Sequence, residues 1–266
     1  MLLALGHPDD ILIQHVYRRA VTDGIPIHCI DEPDLFSHPF AFEQNGTSST
    51  GYMLLEGIVD GIERTDEAGS RNATALRLDR ISGVLLRLPR IWWPSTDLDL
   101  QDQMFVYHES SAAWFALLEG LSCPVVNRFD LAWWLNDITY PATLVHNLGR
   151  RLKLHTTAEP PLSTLQPRIV PRPPEPSCLS VYLAGSTLIP RSPKDHAISN
   201  WLAESLPALT SWQRENGAQL SRLDFNHEAN DPSTYSLHYV ELFPWLEDDP
   251  TALIDQIAAA TVEMLT

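Results

Sequence analysis

The sequence is short of cysteine, of basic residues and of long apolar runs, and each shortage closes off a class of function. Three cysteines in 266 residues, Cys29, Cys123 and Cys178, form no Cys-x-x-Cys pair. That argues against a disulfide framework and against a thiol zinc site. Lysine and arginine number 18 against 34 aspartates and glutamates, a formal net charge of −16. Such a surface repels nucleic acid and anionic membranes, so neither is an expected partner. No apolar run approaches the ~18 residues of a membrane span. The opening Met-Leu-Leu-Ala-Leu-Gly lacks the basic flank and the length of a signal peptide. The expected address is therefore cytoplasmic. There is no Gly-x-Ser-x-Gly elbow and no Gly-rich phosphate loop of the Walker or Rossmann type. No internal repeat is visible.

What the chain does have is apolar content, 44%, enough for a core at a length that suits one large domain or two small ones. Leu2 to Leu5 reads as a buried strand. Asp9 or Asp10 is placed to cap a helix with Ile11, Leu12, Val16 and Ala20 near one face, and Gly24 to end it. Ile25 to Ile30 then reads as a second strand, parallel to the first, completing a βαβ unit. A hairpin is predicted from Ala41 to Gln44 and Tyr52 to Leu55, turning at Asn45-Gly46. Strands are predicted at Ala75 to Asp79, Ile81 to Leu88 and Cys123 to Asn127, with helices at Val106 to Leu121 and Ala142 to Leu152.

The composition then shifts. Residues 160–176 contain seven prolines, a density that excludes helix and central strand and predicts an extended linker. Beyond it, Leu179 to Ala184 and Thr187 to Ile189 read as a hairpin turning at Gly185-Ser186. A helix from Ala197 to Trp212 should break at Pro207. Strands at Leu220 to Phe225 and Tyr235 to Leu242 should be joined by a polar loop through Asn230-Asp231-Pro232, and Thr251 to Leu265 closes the chain as an amphipathic helix.

Several of these segments, in this order, resemble the ATP-grasp ligases of the glutathione-synthetase and RimK-like type. The opening βαβ unit is similar to their pre-ATP-grasp domain. So are Ile-Ser-Gly-Val-Leu-Leu-Arg-Leu (Ile81 to Leu88) and the Glu109 helix leading to Pro-Val-Val-Asn-Arg (Pro124 to Arg128). Ser-Val-Tyr-Leu-Ala-Gly-Ser-Thr-Leu (Ser180 to Leu188) resembles the family's Arg-Val-x-Val-Val-Gly hairpin. Leu-Asp-Phe (Leu223 to Phe225) and Val-Glu-Leu-Phe-Pro (Val240 to Pro244) resemble its metal-bearing strands. The resemblance implies magnesium held by an acid of one strand and by a Glu-x-Asn of the next. Asp224 and Glu241 match the acids, but Phe243 stands where the asparagine belongs. Ser180 matches the hairpin arginine, and about Thr139 matches a family lysine. The central subdomain that closes over the nucleotide would lie between Leu154 and Cys178, where the proline stretch is found. ATP chemistry depends on cations that neutralise the phosphates. The resemblance thus implies ATP-grasp architecture without its usual activity.

Two further constellations stand out. Gly6-His7-Pro8-Asp9-Asp10 resembles the His-Pro-Asp-Asp motif of the zinc-dependent N-acetylglucosaminyl deacetylases, in which the histidine and second aspartate hold zinc and the first aspartate is the base. Ile11 stands where that family has glutamate, and no downstream His-x-x-His follows. The alternative is structural, with Asp9 and Asp10 capping the helix. The paired tryptophans Trp92-Trp93 and Trp133-Trp134 serve either the core or a partner surface.

The expected architecture is α/β: a pre-ATP-grasp-like domain over residues 1–158, a proline-rich linker over 159–178 and a remnant α+β ATP-grasp portion over 179–266. The expected function is that of a pseudo-ATP-grasp protein binding a peptide or a partner enzyme, with a homodimer implied by the resemblance. No cofactor and no metal are expected. The alternatives are an enzyme reusing the residual cleft, lined by His7, Arg87, Glu109 and Asn127, for ATP-independent chemistry, an atypical ATP-grasp ligase, and a zinc-dependent deacetylase-like hydrolase using His7, Asp9 and Asp10.

Overall fold

The four apolar residues that open the chain are fully inside: β1 (Leu2–Leu5) is buried at every position. A strand apolar on both faces belongs in a parallel sheet covered on both sides. The computed structural model describes residues 1–31, 35, 40–45, 48–56, 58–59, 62–63, 73–88, 99–128, 140–156, 178–228, 231–244 and 246–266. Asp10 caps α1 (Ile11–Thr22) through its carboxylate, which accepts the backbone N–H of Leu12 and Ile13. The helix buries Leu12, Ile13, His15, Val16 and Ala20. Gly24, at φ 70°, turns the chain into β2 (Ile27–Ile30), which pairs with β1 in parallel.

The chain next forms an antiparallel sheet from β3 (Phe40–Asn45), β4 (Ser48–Glu56) and a later strand, with β5 (Ile58–Val59) paired to β6 (Ile62–Glu63). That later strand is β7 (Ala73–Arg77), hydrogen-bonded to β4. Beyond it β8 (Gly83–Leu86) adds to the free side of β1. Helix α2 (Leu100–Gly120) follows, and β9 (Val125–Val126) completes the parallel sheet in the order β2-β1-β8-β9. Strand β8 is shorter than the Ile81 to Leu88 run, because Leu78–Arg80 forms a 3-10 turn just before it. Helix α2 begins six residues before the expected Val106. Asp99 caps it through the N–H groups of Gln101 and Asp102, while its first turns expose Leu100, Met104 and Phe105. Those turns carry no buried stripe, so the apolar period that marks a helix begins only later.

Among the described residues the α-helices and strands that follow are α3 (Tyr140–Leu152), β10 (His155–Thr156), β11 (Leu179–Ala184), β12 (Thr187–Pro190), α4 (His196–Glu204), α5 (Leu206–Asn216), β13 (Leu220–Glu228), β14 (Asp231–Glu241) and α6 (Thr251–Leu265). Five of them form a sheet in the order β10-β14-β13-β11-β12. Strands β11, β12, β13 and β14 pair antiparallel, and β10 lies parallel to β14. Strands β13 and β14 reach further than expected, their ladder running out to Glu228 and Asp231. Backbone pairing continues there after the apolar alternation has stopped, so the polar loop shrinks. The break in the 197–212 helix falls at Ser205, with Pro207 in the first turn of α5, where a missing N–H loses no hydrogen bond.

Packing divides the chain into two compact units: Met1–Val126 with Leu265–Thr266, and Asn127–Met264. Helix α3 packs on β14 inside the second unit. No helix among the described residues is long and apolar enough to cross a membrane. The proline stretch lies outside the described residues.

One turn in the second unit admits glycine alone. Gly217 closes α5 at φ 63°, and a Cβ there would lie 1.9 Å from the Arg128 carbonyl oxygen. Gly24 has a similar φ but nothing within 4 Å of such a Cβ. Urea unfolding should therefore separate the two alanine variants. Gly24→Ala should lose about 1 kcal/mol, the left-handed backbone penalty, and Gly217→Ala about 3 kcal/mol, since its clash adds to that penalty.

Candidate functional site

At its centre the sheet of the second unit is buried on both faces, but only one of the two is apolar. Val181, Leu183, Leu223 and Val240 point to the apolar face and are at most 2% exposed. Ser180, Tyr182, Arg222, Asp224 and Glu241 share the other face and are at most 3% exposed. The register explains the cluster: Tyr182 lies opposite Arg222 and Arg222 opposite Glu241, while Ser180 lies opposite Asp224. Buried charge of this kind persists only where it is paired and hydrogen-bonded.

The pairing is specific. Arg222 Nε donates to Asp224 Oδ1 at 3.0 Å and to Oδ2 at 3.1 Å. The Ser180 hydroxyl donates to Asp224 Oδ1 at 2.8 Å. Glu241 Oε1 accepts the backbone N–H of Phe243 at 3.1 Å. Burial alone would lower the pKa of the Arg222 guanidinium. The charge and hydrogen bonds of Asp224 outweigh it, helped by Tyr182 and Glu241, and the net shift is upward. A second knot adjoins the first. Asp249 accepts the Tyr182 hydroxyl through Oδ2 and Arg191 Nε, at 2.7 Å, through Oδ1. Burial first, then Asp249, drives the Tyr182 pKa far above the ordinary phenol value. Asp195, 1% exposed, accepts the Ser180 N–H at 3.3 Å and the Ser192 hydroxyl at 2.6 Å.

The acid pair does not fit a divalent cation. Magnesium wants about six oxygen ligands in octahedral array. Both oxygens of Asp224 already accept from Arg222, Glu241 is turned to a backbone N–H, and Phe243 offers no side-chain oxygen. Among the described residues no group of three or more His, Cys, Asp or Glu could hold a metal ion.

In the first unit Asp10 does two structural jobs. Oδ1 caps α1, and Oδ2 takes Arg87 Nε and Nη2, both at 2.9 Å. Arg87, expected to line a cleft, is 8% exposed and committed to that bridge. His7 is exposed, and its Nδ1 accepts the Asp9 N–H at 3.2 Å. With Asp10 engaged in this way, the helix-cap reading of the His-Pro-Asp-Asp segment matches the geometry. Glu109 sits on an exposed position of α2. Asn127 belongs to the second unit and is 2% exposed. It takes φ 61°, a left-handed conformation that asparagine tolerates. Its Nδ2 donates to Leu242 O at 2.5 Å, its Oδ1 accepts Leu220 N–H at 2.9 Å, and its own N–H donates to Gln219 Oε1 at 3.1 Å. These bonds clasp β13 to the segment after β14. Trp92, Trp93, Trp133 and Trp134 lie outside the described residues. Arg222, Tyr182 and Asp249 were not among the expected site residues. The Arg-x-Asp spacing of Arg222 and Asp224, which puts both side chains on one face of a strand, was the available signal.

No family model and no curated protein matches the chain. Solved structures do. Macrocyclase MdnC from Microcystis aeruginosa, bound with precursor peptide MdnA, superposes with a TM-score of 0.63 at 13% identity, covering 99% of this chain and 100% of that one. The fold is ATP-grasp-like. A RiPP-associated ATP-grasp ligase of Chryseobacterium gregarium, in complex with ADP and a leader and core peptide, gives 0.59 at 10% identity over 99% and 96% of the two chains. ATP-grasp ligase PsnB, complexed with a phosphomimetic variant of minimal precursor, Mg and ADP, gives 0.59 at 12% identity over 100% and 98%. At these identities the likeness carries the ATP-grasp-like fold and nothing finer.

Proposed function

We propose that this chain is a pseudo-ATP-grasp protein that binds a peptide, or a partner enzyme acting on one, in a peptide-modification pathway and does not ligate at the expense of ATP. The observation that carries the reading is the occupied acid pair: Asp224 is committed to Arg222 and Ser180 rather than open to a metal. Ser180, matched by resemblance to a phosphate-facing arginine, is neutral, and its hydroxyl is engaged with Asp224. Phosphoryl transfer relies almost entirely on positioning and on cations that neutralise the phosphates. The central nucleotide-clamping subdomain is, in this proposal, lost. Support for a peptide ligand comes from the neighbours, which were solved with their precursor peptides.

The test is calorimetry of the full chain with ATP–Mg²⁺, followed by anisotropy with fluorescein-labelled short peptides encoded beside its gene. No heat of nucleotide binding up to about 1 mM is expected, a ceiling that corresponds to about −4 kcal/mol. Peptide affinity should be the same with and without ATP–Mg²⁺, since uncoupled sites show no linkage. Micromolar ATP–Mg²⁺ binding, or peptide binding that tightens with nucleotide, overturns the reading.

A further inference from the structure

We infer that Arg222 is a built-in cation standing in place of a divalent metal beside Asp224 and Glu241, and that the metal site is latent beneath it. The assignment deepens the pseudoenzyme reading and rests on it for the matching of the two acids to metal ligands. The geometric part stands on this chain alone. Two carboxylates on adjacent strands face the same way, each at most 3% exposed. A pair of buried anions needs a positive charge between or beside them. Here that charge comes from the strand itself, two residues before Asp224 and directly across from Glu241. Arg222 Nε reaches both oxygens of Asp224, the atoms a metal would take.

The substitution has consequences that a metal would not. A guanidinium has donors only, in a rigid plane. It satisfies carboxylates by hydrogen bonds from separate N–H groups and does not gather their oxygens around one centre, as a metal does. Arg222 is 0% exposed, so its charge is consumed within the fold and is not presented to a phosphate. Ser180 Oγ completes an oxygen-rich wall around the position. Taking the guanidinium away while adding a hydroxyl would leave two carboxylates and two hydroxyls on one sheet face, a donor set of the hard type that Mn²⁺ and Mg²⁺ accept.

The experiment uses the full chain and Mn²⁺ as the ligand, with bound metal counted by electron paramagnetic resonance and stability read as Tm. The natural protein should hold fewer than about 0.1 Mn²⁺ per chain after EDTA treatment and titration to 100 µM, with Tm unchanged; metal sites of low affinity show this behaviour. Arg222→Ser should take up about one Mn²⁺ per chain, and its Tm should rise by about 5 °C on adding the metal, the shift mass action predicts for a site near saturation. Arg222→Ser/Asp224→Asn should lose both effects. If Arg222→Ser does not fold in EDTA, refolding yield with and without Mn²⁺ gives the same readout: recovery with metal supports the assignment, and no recovery overturns it. Stoichiometric Mn²⁺ on the natural protein that is lost in Asp224→Asn also overturns it, as does a folded Arg222→Ser that binds none. The two readings fail separately. ATP binding in EDTA without Mn²⁺ uptake defeats the binding-only function and leaves Arg222 as the stand-in cation. Mn²⁺ uptake at Asp224 without ATP binding does the reverse.

Discussion

Replacing Arg222 with methionine is expected to cost the protein about 3–5 kcal/mol of unfolding free energy, the range for removing one partner of a buried charge pair. Methionine preserves most of the stem volume, so the loss reports charge and not a cavity. It leaves Asp224 at 3% exposure and Glu241 at 2% without the guanidinium that faces both. The urea midpoint of Arg222→Met should fall accordingly. The triple variant Arg222→Met/Asp224→Asn/Glu241→Gln should recover most of the loss, because neutral amides need no counter-charge. Equal stability of Arg222→Met and the natural protein would show that the guanidinium does not hold the pair.

The second large effect belongs to Asp249. Asp249→Ala removes the acceptor of both the Tyr182 hydroxyl and Arg191 Nε. Arg191 keeps 26% of its side chain exposed, so water takes up part of its charge. Tyr182 is 0% exposed and loses its partner outright. A loss of about 3 kcal/mol is expected, combining an orphaned buried hydroxyl with a weakened ion pair. The same knot sets an alkaline limit. Burial and Asp249 raise the Tyr182 pKa in the folded state above its unfolded value, so folding favours the neutral phenol. The stability it contributes is therefore fully present below about pH 10, the unfolded phenol value, and falls as pH rises from there through the folded pKa. Phenolate absorbance at 295 nm should show at least one tyrosine that ionises only together with unfolding. Tyr182→Phe should remove that coupled step. An alkaline unfolding curve identical in Tyr182→Phe and the natural chain would show that Tyr182 is not the group responsible.

Much of the fold was legible because local and global signals agree. Leu2 to Leu5 is apolar throughout and becomes a strand buried on both faces. Asp10 caps α1 and Gly24 ends its turn. The hairpin at Gly185 runs one residue past the expected Ile189, to Pro190, and the helix from Thr251 to Leu265 has the expected bounds. Helix α2 was legible only from its middle, since its first turns bury nothing that sets a period. The site was less legible. Arg87 and Asn127 are polar residues at strand ends, where a ligand is a fair expectation, yet one bridges to Asp10 and the other clasps three segments together. Single-sequence reading counts the donors a side chain has and not those the fold has already used. Asp249 lies 67 residues from Tyr182, a separation no local pattern reports. Arg222 was two positions from a residue singled out for its acidity, but a charge on an apolar strand is indistinguishable in sequence from one on a solvated edge.

The cation inside the second unit is covalent. It is delivered by the ribosome at a fixed ratio of one per polypeptide, needs no loading step and cannot be stripped by citrate, phosphate or a chelator. A cell starved of magnesium would weaken proteins that borrow their positive charge from solution, while the interior of this one would keep its balance of charge.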